Sequence, residues 1–504
     1  MNKVNFWVQT RTIVAYALSM LALAEIVDLT IVAVAIPHIM GSLNANLSEV
    51  SLTMTSYIVA AAVCLPLTGL FTRKYGIKNV ILASTLLFGI SSVLCGMSTS
   101  LTQMVFFRLL QGIGGAFLPA IAQSYISKTF TSAEQPKIMT FYSLCVVLGP
   151  IIGPIFGGTL TENLNWRWCF YVNVPICITG FLLIWVFMAK DVAEKLKIDY
   201  ISFLFLAFGV GCFEYFIDEG NKNNWFDSQE MVLIIIVACL FIGFFIYRGL
   251  LGKSVIKFAT FRNSNVVLCC LAMFIFMSMA SASLTYFSTM LQQIYGYPVN
   301  TAGYLNAPRG MVAFIAAPII ITLIGAKLDA RIVMMAGMAC FALGCFMMSS
   351  YSTSLSISYL ITSVIIQGLG MMAFFIPIMQ IVFIGVSDEL HGEVSGIFNF
   401  SRNIASSVGT SLSSTIVSHQ MQVSYHDLAA NITPYNRGFL WWIQNMPQAT
   451  LGTIAPLAHF QVIQQSSLIS YLDSFYLFGL LLLIFCWLPL ILKKPTGGKI
   501  ELGH

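Results

Sequence analysis

Residues 13–37 read IVAYALSMLALAEIVDLTIVAVAIP, a run whose only charges are Glu25 and Asp28. A bilayer core about 30 Å thick is crossed by roughly 20 apolar residues in a helix, so this run predicts a transmembrane span with two acids inside it. Lipid disfavours a charge without a partner, and an ionisable side chain within such a span marks a functional interior. Glu25 and Asp28 stand three apart on one helix face, which predicts that both look into the same interior space. The pairing points to proton handling.

Composition extends that reading to the whole chain. Charged residues make up 9% of 504 positions and hydrophobic ones 58%, with a mean hydropathy of +0.85, against roughly 25% charged in soluble domains. An all-α integral membrane protein follows, because spans without water must satisfy their backbone internally and a strand barrel would show short alternating segments. The formal net charge of +5 reports topology rather than a nucleic-acid ligand once it is sorted by loop. All twelve cysteines lie in or beside apolar runs, without metal-ligand spacing, and read as apolar packing. Lys3 and Arg11 precede a first run that is long, carries acids and lacks a small-residue cleavage site, so it reads as a retained helix.

Spanning runs fall near 13–37, 50–71, 79–98, 101–125, 138–160 and 169–189, then 199–217 and 230–251, then 264–292, 302–325, 331–350, 356–385, 394–418 and 467–492. This is a 6+2+6 arrangement of 14 transmembrane helices, with expected units 1–190, 191–261 (a linker with two extra helices) and 262–504. Basic residues test the count, because short cytoplasmic loops hold the positive excess. Lys3, Arg11, Arg73, Lys74, Lys78, Lys128, Lys137, Lys190, Lys195, Lys197, Arg248, Lys253, Lys257, Arg262, Lys327, Arg331, Lys493, Lys494 and Lys499 fall on one side; only Arg167, Lys222 and Arg437 oppose them. Both termini are expected in the cytoplasm, and 419–466 is expected to be one large external loop. The inner loop at 387–393 is an acidic exception. Two six-helix units imply a repeat with the substrate route between them near the midplane, although no sequence symmetry is visible by eye. The extra pair, with Glu214 and a polar turn from Asp218 to Glu230, reads as an insertion beside the core.

Several motifs carry chemistry. After Glu25-Ile-Val-Asp28-Leu-Thr30, the second span opens Thr55-Ser56-Tyr57. The fourth holds Arg108-Leu-Leu-Gln111-Gly112-Ile-Gly114-Gly115, and the fifth Gly149-Pro150-Ile-Ile-Gly153-Pro154-Ile-Phe-Gly157-Gly158. Then comes Asn165-Trp166-Arg167-Trp168-Cys-Phe170-Tyr-Val-Asn173-Val-Pro175. Gly149, Gly153 and Gly157 recur every four residues, a side-chain-free face for close helix approach, while Pro150 and Pro154 remove backbone donors and favour bending. In order and spacing these motifs resemble the fourteen-spanner drug:proton antiporters of the major facilitator superfamily, closest to the EmrB/QacA group. The resemblance covers the whole architecture, and its specific motifs lie in the first six helices.

That resemblance implies the major facilitator fold and proton-coupled export of hydrophobic or amphipathic compounds, with no cofactor beyond the proton gradient. It also implies a bacterial inner membrane and, by analogy with EmrB, a periplasmic adaptor and outer-membrane channel as partners. Asp28 would carry the proton, Arg108 would sense its charge, and Glu25 would be a second proton site, a cation-binding carboxylate or a vestibule residue. The Gly-Pro face of the fifth span would be the antiporter motif. Tyr57, Gln111, Arg309, Gln367, Gln380 and Asn399, with Asn403, are polar positions on inner helices, each a substrate contact or an interhelical hydrogen bond. In Gly69-Leu-Phe-Thr-Arg73-Lys74-Tyr-Gly76-Ile-Lys78, Arg73 stands where the superfamily usually has Asp, which puts its charge-pair latch in doubt. His419, His426 and His459 are too widely spaced for a metal site, and Asn431-Ile-Thr433 is a glycan acceptor only in a secretory pathway. An enzyme is disfavoured: there is no HExxH or Walker A motif, and Gly409-Thr-Ser411-Leu-Ser413 departs from GxSxG at its last position. A dedicated exporter of a siderophore or fatty acid and a non-transporting sensor are the alternatives.

Overall fold

The computed structural model describes residues 3–131, 134–191, 193–194, 196, 199–252, 254–325, 328–433, 435–444 and 451–493. Lys195, Lys197, Lys253, Lys327, Lys494 and Lys499 lie outside the described residues. The first group of helices is α1 (Lys3–Leu43), α2 (Leu47–Cys64), α3 (Thr68–Tyr75), α4 (Ile77–Met97), α5 (Leu101–Thr129), α6 (Gln135–Asn163), α7 (Trp168–Tyr171) and α8 (Asn173–Phe187). A middle pair follows, α9 (Tyr200–Glu219) and α10 (Gln229–Leu250). The last group is α11 (Ser264–Gln293), α12 (Val299–Gly325), α13 (Ala330–Ser349), α14 (Ile357–Ile381), α15 (His391–Ala429), α16 (Arg437–Gln444) and α17 (Leu451–Phe485). Local chemistry sets the starts: Asn46 and Glu49 form a reciprocal capping box at α2, with both bonds at 2.9 Å.

Among the described residues, 13 helices are long and apolar enough to cross a membrane. By position α15 supplies the fourteenth span; its serines and asparagines keep its hydropathy low, and it is buried in the bundle instead. The expected external loop at 419–466 is corrected. Helix α15 continues to Ala429, α16 lies at Arg437–Gln444, and α17 starts at Leu451. A 39-residue helix is about 58 Å long, nearly twice the bilayer core, so α15 projects beyond it. The projecting turns of α15 and α17 brace each other, Gln420 Nε2 donating to Asp473 Oδ2 at 2.8 Å and Tyr425 meeting His459 Nδ1 at 3.0 Å.

The glycine face of α6 packs on α1. A Cβ at Gly149 or Gly153 would run into Ile26 or Thr30, and one at Gly157 would lie 2.8 Å from the Ile31 carbonyl oxygen. Backbone cannot yield as a flexible side chain does, so Gly157→Ala is expected to cost about 1–3 kcal/mol. Gly41 at the end of α1 has nothing within 4 Å of an added Cβ, and Gly41→Ala is the neutral control. Thermal unfolding in detergent should separate the two variants; equal midpoints would show that the α1–α6 contact yields freely.

The middle pair is not simply beside the core, as its sequence suggested. Helix α9 packs against both α2 and α15, bridging the two groups. The groups also meet where α3 and α5 touch the start of α15. Arg73 Nη2 pairs with Glu393 Oε1 at 2.5 Å, Asn399 Nδ2 donates to Gln123 Oε1 at 2.7 Å, and Ser127 meets His391 at 3.1 Å. An ion pair does form at the Arg73 position, with Arg73 as the base and Glu393 supplying the acid. Of the acids in 387–393, Glu393 is accounted for by this contact, whereas Asp388 and Glu389 are exposed.

Candidate functional site

Asp28 is fully buried, and every contact it makes is a donor. Arg108 Nη1 pairs with Oδ2 at 2.5 Å, while Gln111 Nε2 and Asn173 Nδ2 donate to Oδ1 at 2.9 and 2.6 Å. Arg108 also donates to Gln111 Oε1 at 2.7 Å and to the Thr53 carbonyl at 3.3 Å. Its guanidinium lies 4.5 Å from the Tyr57 ring centroid and 5.6 Å from that of Phe170, a cation–π setting that helps hold a charge out of water. Gln111 Nε2 continues to Ser92 at 2.9 Å. Helices α5 and α8 thus bond the carboxylate of α1 directly, and α2 and α4 hold its partners Arg108 and Gln111. Arg108 Nη2 is left without a hydrogen-bond partner, so the desolvated pair rests on the bonds of Nη1 and Nε and on the aromatic rings beside the guanidinium.

Glu25 has a different setting, which corrects the expectation of one shared space. It lines a central cavity of about 490 Å³ whose walls come from α1, α2, α5, α6, α9, α11, α12, α14 and α15. Asp28 is not on that wall. Glu25 Oε1 accepts from Tyr57 at 3.4 Å, Oε2 has no protein partner, and Arg402 of α15 is the cavity's cation. Tyr57 therefore lies between the cavity acid and the buried pair, its hydroxyl at Glu25 and its ring at Arg108. The rest of the wall is mostly apolar with scattered hydroxyls, including Leu29, Met54, Met277, Phe375 and Thr410.

The polar positions expected along the substrate route are placed elsewhere. Of Tyr57, Gln111, Arg309, Gln367, Gln380 and Asn399, none lines the cavity, whereas Asn403 does. Asn399 joins α15 to Gln123 of α5, and Gln380 ends α14. Arg309 is 1% exposed and is held by Asn306 Oδ1 at 2.8 Å and by Gln367. For Gln111, Arg309, Gln367 and Asn399 the physical reason is common: amides and guanidinium groups in a low-dielectric bundle satisfy one another or a buried charge before they face an apolar wall. Among the antiporter-motif residues, Gly149, Gly153 and Gly157 contact α1, Gly158 is buried, and Pro150 and Pro154 reach the cavity.

A repeat hidden from direct reading appears here. Gln111-Gly112-Ile-Gly114 of α5 matches Gln367-Gly368-Leu-Gly370 of α14. Gly112 sits on the backbone of Tyr57 in α2, and Gly368 on that of Arg309 in α12. A Cβ at Gly114 would lie 2.7 Å from the Phe88 nitrogen, and one at Gly370 2.5 Å from the Phe341 nitrogen. Each glutamine then bonds a serine and contacts a cysteine: Ser92 and Cys95 for Gln111, Ser283 and Cys345 for Gln367. The scaffold is duplicated but the ion pair is not, because Val364 precedes Gln367 where Arg108 precedes Gln111.

Sequence reasoning missed Asn173, Arg402 and Glu393. Asn173 sits inside a motif already singled out. Arg402 is an unexplained charge within a span, the same signal that exposed Arg108. Glu393 sits in the acidic loop that broke the basic pattern.

The sequence profile of the Major Facilitator Superfamily matches residues 18–410. The chain is 31% identical to the multidrug export protein EmrB of Haemophilus influenzae and 30% identical to that of Escherichia coli, with 96% of each chain covered. It is 27% identical to the fatty acid resistance protein FarB of Neisseria gonorrhoeae, with 97% of each covered. Among solved structures, the proton:xylose symporter XylE superposes with a TM-score of 0.61 at 12% identity, 96% of each chain covered, a likeness of fold alone. A helical bundle with a duplicated Gln-Gly-x-Gly scaffold around a central cavity, matched along nearly its whole length, belongs to the Major Facilitator Superfamily and to its EmrB-like multidrug export branch.

Proposed function

We propose that this transporter is a proton-coupled antiporter that exports hydrophobic or amphipathic compounds from the cytoplasm by alternating access. The observation that carries the reading is the fully buried Asp28–Arg108 pair, whose bonds come from α1, α2, α5 and α8, beside a largely apolar cavity. A proton arriving at Glu25 passes past Tyr57 to Asp28 and cancels its charge. Arg108 then loses its counter-ion, and the bundle settles into the state that tolerates the change. Glu25 serves as the cavity-facing relay.

The topology belongs to the same proposal. With the basic loops and both termini in the cytoplasm, the Arg73–Glu393 contact closes the cytoplasmic end, and the cavity faces outward. The units 1–190 and 262–504 rock about each other, with 191–261 between them. Energy comes from the proton gradient without a further cofactor, in a bacterial inner membrane. The projecting ends of α15 and α17 offer a docking surface for a periplasmic adaptor leading to an outer-membrane channel, which the relation to EmrB supports. A dedicated exporter of a physiological metabolite such as a siderophore or fatty acid is the second reading, and the likeness to the fatty acid resistance protein FarB supports the fatty acid.

The test is purified full-length protein in proteoliposomes with an imposed pH gradient and a panel of fluorescent hydrophobic probes. Accumulation against the probe gradient that collapses with a protonophore is the expected result. Absence of pH-dependent flux for the whole panel would favour the sensor.

A further inference from the structure

Helix α9 has a chemical role that an inserted spacer would not need. Glu214 is fully buried in the seam between α9 and α15. Its Oε1 accepts from Ser407, and its Oε2 has no partner. One turn further along, Asp218 lines the central cavity and accepts from Thr55 of α2. The surrounding hydrogen bonds fasten this stretch of α9 to α15: Ser411 donates to the Ile217 carbonyl, Asn221 Nδ2 to Ser414 at 2.6 Å, and Trp225 Nε1 to Thr415 at 2.8 Å. A buried carboxyl oxygen without a donor is expensive unless its valence is filled.

We propose that Glu214 is a second proton-exchange site, loaded from the cavity through Asp218, which makes α9 part of the transport machinery. This rests on the proton-antiport reading above. Spacing of four residues puts the two carboxyls on one helix face. A proton leaves cavity water for Asp218, moves to Glu214 Oε2, and returns by the same route, while Ser407 keeps its bond to Oε1 throughout. The charged groups around the site are few. Its own helix presents Tyr215, Asp218 and Glu219, the turn beyond it presents Lys222, which pairs with Glu219 at 2.7 Å, and α10, packed along α9, brings Glu230 near Tyr215. Helix α2 presents only the hydroxyls of Ser51 and Thr55, and α15 those of Ser407 and Ser411, with Arg402 and Glu25 farther along the cavity wall. No cation stands beside Glu214 Oε2 among the described residues, so a proton is the ligand that suits it.

Infrared difference spectra of the full-length protein in lipid nanodiscs, recorded between acidic and alkaline buffers, read protonated carboxyls directly. Within the protonated-carboxyl absorption that the parent loses, one component should be absent in Asp28→Asn and another absent in Glu214→Gln. Ser407→Ala keeps the carboxyl but removes its donor, so it should move the Glu214 component in frequency without deleting it. Asp218→Asn should slow deuterium exchange of that component. A Glu214→Gln spectrum that superimposes on the parent's, with the Asp28 component still present, would overturn the second site and leave the antiport reading standing. A spectrum in which Asp28→Asn also changes nothing would overturn that reading itself.

Discussion

Asp28→Asn is expected to reduce pH-gradient-driven export to the level of empty liposomes, and Asp28→Asn and Arg108→Ala are each expected to destabilise the bundle by about 3–5 kcal/mol. The two effects have separate causes. Stability falls because either change leaves the other member of a desolvated pair without its counter-charge, and the amide introduced by Asp28→Asn would also turn an N–H toward Arg108, Gln111 or Asn173, all of which now donate. Export falls because an amide cannot take up and release a proton in the cycle. The double variant Asp28→Asn/Arg108→Gln separates these causes. Removing both charges restores neutrality, so most of the lost stability should return in thermal unfolding. Coupling should remain absent, since no titratable group replaces the acid. Arg309 shows that this bundle tolerates a guanidinium held by amide oxygens alone, which bounds how severe the Asp28→Asn defect can be. Retained pH-driven flux in Asp28→Asn would remove the coupling role from this residue.

The fold was legible because its cause is one-dimensional. Span length, the scarcity of charge and the one-sided lysines and arginines each follow from the bilayer as solvent, and each can be read along the chain. Asp28 and Arg108 were legible for the same reason, as charges in lipid. What the sequence could not show is which partner each polar group takes. Gln111 and Gln367 sit on inner helices, but only the packing of α5 on α4 and of α14 on α11 and α13 reveals that each is taken up by a serine, a cysteine and a buried arginine. Glu25 and Asp28 share a helix face, yet a difference of one turn places the first on the cavity and the second behind it. The projecting length of α15 was missed because hydropathy marks where a helix leaves lipid, not where it stops being helical.

Glu393→Gln is expected to shift the conformational equilibrium toward the inward-open state by roughly 30-fold or more. Glu393 is 1% exposed and takes three donors: Arg73 Nη2 at 2.5 Å, the Lys257 nitrogen at 3.2 Å and Thr260 Oγ1 at 3.3 Å. Removing one member of a buried charge pair costs about 2–5 kcal/mol, and each 1.4 kcal/mol is tenfold in population. In the alternating-access cycle proposed above, this contact is made only while its end of the bundle is closed, so the whole loss falls on one of the two states. Close packing sharpens the effect, since a Cβ at Gly69 would lie 2.7 Å from the Glu393 nitrogen and the helices cannot settle into a looser closed form. Arg73→Glu should act in the same direction. The charge swap Arg73→Glu/Glu393→Arg should recover only part of the shift, because an arginine at 393 restores the pair but cannot accept from Lys257 or Thr260. Electron-spin distances between labels at the exposed Tyr75 and Ser387 report the opening: a longer distance in either single variant, and an intermediate one in the swap, are the expected results. Unchanged distances in Glu393→Gln would mean that the remaining contacts of α5 with α15, Gln123 with Asn399 and Ser127 with His391, hold the cytoplasmic end without the ion pair.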